Sequence, residues 1–234
     1  MIPTENPKRF YKQVAVAGDG PFEVALDARA VKTPAKAVLA LPTRALADAV
    51  ASEWDRQGER LDIARMHLTR LANVAIDRTP ETRTEMAQEI ANYVGTDLLC
   101  HLADGPAELC RRQAKTWGPV RDWAGEALSV VTVPVEGIIA TPQPPASLEA
   151  AVQYALELDD FRLTGLAYAC SLFGSALLAM AVAEGKLSSG EAFSASRLDE
   201  DYQIERWGED DEARLAKEAR ELEAEAVGVW FNSL

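Results

Sequence analysis

The chain has 234 residues, enough for one large domain or two small ones with a packed core, and its 48% hydrophobic and 26% charged residues are an ordinary globular balance. Its formal net charge of −13 is less ordinary, because a surface that acidic repels phosphate backbones and anionic headgroups and so argues against nucleic acid and membrane surfaces as partners. The excess is uneven: residues 1–42 carry six bases against four acids and residues 191–225 thirteen acids against five bases, which points to two functional regions.

In chain order, strands come first. Phe10 to Ala17 alternates loosely with Val14 and Val16 on one face, Gly18-Asp19-Gly20-Pro21 is a turn, and Phe22 to Leu26 alternates again, so a hairpin is expected. Short strands at Val31 to Thr33 and Val38 to Leu41 complete a small antiparallel sheet that stops at Pro42. From Thr43 the period becomes helical. Thr43 caps a helix in which Leu46, Val50 and Trp54 fall one above another, and Gly58 ends it. Further helices are expected over Met66 to Asp77, Glu81 to Leu102 and Ala107 to Leu128, the last with a local break at Gly118-Pro119. Val130 to Val135 reads as a connector or one stray strand, and 141–145 as a short linker before a helix from Ser147 to Leu158.

Leu163 to Ala183 holds no charged residue across 21 positions, long enough to span a bilayer. Its alanine, glycine and serine content and the lack of aromatic belts favour one buried central helix instead. Ser188 and Glu191 form a capping-box pattern before a helix running to Trp207, and Gly208 breaks it. A last helix from Asp210 to Val229 places Leu215, Ala219, Leu222, Ala226 and Val229 at 4-3-4-3 spacing, an apolar seam on a charged rod.

Chemistry-bearing motifs are scarce. The chain has neither phosphate-binding glycine pattern, and Gly18 and Gly20 lie between strands. His67, His101, Cys100, Cys110 and Cys170 lack metal-ligand spacing, so no metal is expected. The odd cysteine count without framework spacing argues for a reducing compartment. The first seven residues lack the regions of a signal peptide, so a cytoplasmic protein, or a mature form stripped of its targeting segment, is expected. There is no nucleophile elbow, and Gly174-Ser175 reads as a packing contact inside the apolar helix. Carboxylates such as Asp199, Glu200, Asp201, Glu205 and the run from Glu209 to Glu212 sit where a solvated face is expected. Tyr202 and Trp207 interleave with these acids, a combination common at protein interfaces.

Several segments together resemble a known family. They are Arg9-Phe10-Tyr11-Lys12, Leu26 to Pro34, Leu41-Pro42-Thr43, Glu53-Trp54-Asp55-Arg56-Gln57, Met66-His67-Leu68-Thr69, Asp97-Leu98-Leu99-Cys100 and Leu198 to Gly208. In this order they resemble the ATP synthase assembly chaperones that serve the α-subunit of the soluble catalytic sector. The chain departs from the family pattern at Ala28, where glycine is usual, and at His67, where proline is usual.

The resemblance implies an α+β protein, with a small antiparallel β-rich N-terminal domain followed by a larger all-helical C-terminal domain. With the change of period, the boundaries are expected at 1–42 and 43–234. The resemblance further implies no cofactor, no turnover and no catalytic residue. The implied partner is the unassembled α-subunit, held against aggregation. The implied location is the bacterial cytoplasm, or the mitochondrial matrix for eukaryotic relatives. Asp199, Glu200, Tyr202, Glu205, Trp207 and Glu209 are the expected contact residues. A small-molecule hydrolase or lyase with an acidic interdomain cleft, and a generic adaptor, are the alternatives.

Overall fold

A computed structural model describes residues 6–137 and 141–234; most of the N-terminal segment read for targeting lies outside them. A small antiparallel sheet precedes a helical region, so the α+β expectation holds. The chain divides into two compact units, Met1–Glu81 with Val229–Leu234, and Thr82–Gly228. The change from strand to helix falls at residue 42, whereas the units divide at Glu81, so the first helices belong with the sheet.

In the first unit, β1 (Val14–Ala17) and β2 (Phe22–Leu26) form the expected hairpin. β3 (Arg29–Ala30) and β4 (Ala40–Leu41) both pair with the other edge of β2, β3 at its end and β4 at its start. The expected strand at Val31 to Thr33 reduces to a bridge between Lys32 and Val38. Asp27 and Ala28 turn the chain from β2 to β3 with φ of 47° and 65°. Ala28 thus takes the left-handed conformation that glycine takes more readily. The Asp27 carboxylate accepts the N–H groups of Lys12 and Gln13, at 3.0 and 2.9 Å, which hold its pKa below the usual carboxylate range.

Helices α1 (Arg44–Asp55) and α2 (His67–Asp77) complete this unit, and Thr43 caps α1 by accepting the Leu46 N–H at 3.1 Å. The C-terminal carbonyls of α1 are met from far away in sequence. Arg9 donates to the Asp55 and Gln57 carbonyls at 2.9 and 2.5 Å, and the Tyr11 hydroxyl to that of Trp54 at 2.6 Å, where a cation and extra donors complement a helix end. Thr33 and Ala35 donate to the Asp77 carboxylate, tying the loop after β3 to the end of α2.

The second unit is helical except for β5 (His101–Leu102) and β6 (Val135–Glu136), a short parallel pair. Helix α3 (Thr79–Gly95) begins before the unit boundary, is kinked at Thr82, and stops seven residues short of the expected Leu102. The Asp97 carboxylate accepts the Leu99 N–H and starts a 3-10 turn instead. Helix α4 (Ala107–Leu128) runs through Gly118-Pro119 without the expected break. Its buried stripe of Leu109, Gln113, Trp117, Val120 and Ala124 continues on both sides of Pro119, and the Trp117 indole N–H donates to the Ala195 carbonyl at 2.9 Å.

After α5 (Pro145–Glu157) the apolar run is two helices and not one, α6 (Asp160–Phe173) and α7 (Ala176–Ala183). Gly174, at φ 64°, ends α6, and the Ser175 hydroxyl caps α7 by accepting the Leu178 N–H at 3.0 Å. Gly174-Ser175 is therefore a helix junction and not a packing contact within a helix. Ser175 also donates to Asp97 at 2.7 Å, and Asp97 accepts the Leu177 N–H at 3.0 Å. Complete burial pushes the Asp97 carboxyl up to about 6, against the pull of these donors. Among the described residues no helix is long and apolar enough to cross a membrane.

The expected helix over Ser188 to Trp207 also divides, at Arg197, into α8 (Ser189–Ser196) with its capping box and α9 (Leu198–Trp207). The last helix, α10 (Asp211–Asn232), leaves much of the expected seam in solvent. Leu215, Leu222 and Val229 are exposed, whereas Ala224, Val227, Trp230 and Phe231 are buried.

Candidate functional site

Helix α9 starts with Asp199, Glu200 and Asp201 in its first turn, favourably placed against the helix dipole, and ends at Gly208, whose φ of 86° suits glycine. Its two faces differ. Tyr202 is only 3% exposed, and its ring lies beneath the guanidiniums of Arg112 and Arg206, 5.2 and 4.6 Å from the ring centre. Glu205 accepts from Arg112 through both oxygens at 2.8 Å. Glu108 on α4 accepts from Arg112 at 2.8 Å and pairs with Arg206 at 3.4 Å. These hydrogen bonds to Arg112 hold the Glu108 carboxyl below its usual range, and Glu205 with Glu108 raises Arg112 further. Asp199 accepts from the Gln113 amide at 2.8 Å, and its half-burial raises its pKa. Asp199, Tyr202 and Glu205 thus form a latch between α9 and α4.

The opposite face is open. Glu200, Gln203 and Trp207 share it by their three- and four-residue spacing, and all are exposed. Trp207 is 77% exposed, the most exposed of the large apolar side chains among the described residues. Glu200 makes no hydrogen bond or ion pair among the described residues, and Glu209 lies just past Gly208, fully in solvent reach. Of the six residues expected from sequence, Glu200, Trp207 and Glu209 are therefore available to a partner, and the other three fix the helix that presents them. Gln203 belongs to the open face and was not anticipated; its position three residues after Glu200 was the available signal. Asp201 pairs instead with Lys217 of α10 at 2.9 Å.

Cys100 and Cys170 are buried free thiols, Cys100 pushed up to about 11 and Cys170 raised as well, mainly by burial. Cys110 donates to the Ala103 carbonyl at 3.1 Å. Among the described residues no group of three or more His, Cys, Asp or Glu could hold a metal ion.

Comparison with known proteins bears on this arrangement. Residues 8–125 match the family model described as ATP12 chaperone protein. The mitochondrial atp12 protein of Schizosaccharomyces pombe is 25% identical over 222 residues, covering 88% of this chain and 76% of that protein. The crystal structure of Atp12 from Paracoccus denitrificans is 39% identical with a TM-score of 0.86, over 96% of this chain and 97% of that one. The Atu1473 protein of Agrobacterium tumefaciens is 38% identical with a TM-score of 0.90, over 97% and 86% of the respective chains. The family-model match stops before α9, whereas the likeness to the solved structures extends over nearly the whole chain. The chain belongs to the ATP12 chaperone family, whose members serve ATP synthase assembly.

Proposed function

We propose that this protein binds the unassembled α-subunit of the ATP synthase catalytic sector and shields the surface that later packs against the β-subunit. It acts by binding and release, without turnover or cofactor, and in the bacterial cytoplasm. An unassembled subunit of an obligate ring exposes apolar surface that aggregates, so a protein that covers it and then yields to the proper partner meets the need. The observation that carries this reading is the exposed Trp207, with Glu200 and Glu209 beside it, on a helix latched from behind. A large aromatic at 77% exposure adds little to the packing of its own chain, and aromatics bordered by charge anchor protein interfaces.

The test mixes the purified protein with isolated α-subunit, and with β-subunit as control, and follows heat-induced light scattering and co-elution. Selective protection of α is expected. Trp207→Ala should weaken that binding by about 2 kcal/mol or more, with Glu200→Lys weakening it too. Both should melt as the parent does. Glu205→Lys places a cation beside Arg112 and Arg206 and should lower the melting temperature as well. Equal protection of both subunits, or of neither, would sink the reading.

A further inference from the structure

The sequence places an apolar seam on α10, and the fold does not use it. Leu215 and Leu222 are 57% and 46% exposed, Ala219 is exposed and Ala226 half-buried. The helix is held from its other side. Ala224 and Val227 are buried, Lys217 pairs with Asp201 of α9, and Arg220 donates to the Leu172 carbonyl of α6. Two leucines seven residues apart with alanines between them are the knobs and shallow holes by which one helix receives another.

The charges beside the seam state what can lie on it. By helical position Asp211, Glu218 and Glu225 border it on one side and Glu212 and Glu223 on the other. Arg214 is the base among them, and it is engaged by Asp211 at 3.4 Å and Glu218 at 2.6 Å. We propose that the seam from Leu215 to Ala226 docks a basic amphipathic helix of a partner chain, with apolar residues at heptad spacing and lysine or arginine on both flanks. A second copy of this chain is the wrong occupant, because acids border the seam on both sides and would face acids whichever way the two helices ran. The proposal concerns a different helix from the α9 face and stands whether or not the client there is the α-subunit.

The test uses the full chain and a fluorescein-labelled synthetic helix of about three heptads, with leucine and alanine in its seam and lysine on its flanks. Fluorescence anisotropy at about 0.15 M salt suppresses unspecific attraction between exposed charges. A peptide with glutamate flanks is the control. The lysine peptide should bind and the glutamate peptide should not. Leu215→Ser/Leu222→Ser should weaken binding at least about tenfold, and Glu218→Lys/Glu225→Lys should weaken it too. All variants should remain folded at the assay temperature, which circular dichroism checks, since these positions are largely exposed and the Arg214–Glu218 pair is a surface one. The proposal is overturned if the parent fails to bind the lysine peptide. It is also overturned if the serine variant binds it equally well, which leaves charge attraction alone. Sedimentation showing a parental dimer that the serine variant abolishes would instead make a second copy the occupant.

Discussion

Glu53 lies in the last turn of α1, and its carboxylate takes three hydrogen bonds from the first turn of α2. The Leu68 N–H reaches one oxygen at 2.8 Å, and the Thr69 N–H and hydroxyl reach the other at 2.8 Å each. The residue before α2, Met66, supplies no side-chain cap. A carboxylate from the neighbouring helix therefore satisfies the N–H groups that a cap would serve. Burial is the larger influence on Glu53 and raises its pKa, so part of the gross stabilisation is spent on desolvation. Bonds to a charged group contribute about 1.5–3 kcal/mol each, and buried donors left alone cost a similar amount, so Glu53→Ala should cost about 3–5 kcal/mol after that offset. Glu53→Gln keeps one acceptor but sets an amide against an N–H, and should cost about 1–3 kcal/mol. Thr69→Val removes the hydroxyl alone, at about 1 kcal/mol. Urea unfolding followed by far-UV circular dichroism measures all three, and the double variant gives the coupling. A cost for Glu53→Ala under about 1 kcal/mol, in the range of surface substitutions, would refute the capping argument.

Two further predictions concern single residues. Ala28→Gly should raise stability by about 0.5–1 kcal/mol, because relief of the left-handed alanine outweighs the extra chain entropy of glycine, and thermal unfolding reads the sign. Asp97, with its carboxyl pushed up to about 6, adds stability that is fully present below the unfolded carboxylate value and is lost as pH rises through about 6. Between about pH 3 and pH 7 the parent should therefore lose about 3 kcal/mol relative to Asp97→Asn, and parallel stability profiles for the two proteins would contradict this.

Much of the fold was legible because local signals agreed with the packing. The Thr43 cap and the capping box at Ser188 each settle their own neighbourhood by hydrogen bonds within a few residues, and Gly18 and Gly20, both at positive φ, turn the chain between β1 and β2. What was not legible depends on contacts distant in sequence. The α6–α7 junction is hidden by an apolar run that shows no period, and Asp97, 78 residues before Ser175, holds it. Pro119 is tolerated within α4 because the buried stripe on both sides holds the helix together. The seam on α10 has the expected period, but it does not face the core. Periodicity identifies a face, but Ala213, Ala224 and Val227 offered a second, smaller stripe, and only the position of α9 and α6 decides between them. At the candidate site, acidity and aromatics single out α9 in the sequence, but which of its sides is latched depends on Arg112 in another helix.

The segments that carry the family resemblance explain themselves differently along the chain. Arg9 and Tyr11 hold the end of α1, Asp27 holds the strand edge at Lys12, Glu53 holds the start of α2, and Asp97 holds the start of α7. Each is a polar side chain reaching backbone N–H or carbonyl groups well removed in sequence, so each has a reason to be where it is that involves no client. Leu198 to Gly208 is the segment that such ties exhaust only in part. Its Tyr202 and Glu205 are consumed by the latch to α4, and its Glu200 and Trp207 are not. A protein that shields another must keep some apolar surface that its own core leaves unused. On the proposed reading that surface is Trp207 on α9, with the α10 seam as a second one. Acidic side chains around each would keep it soluble between clients and reject unsuitable ones.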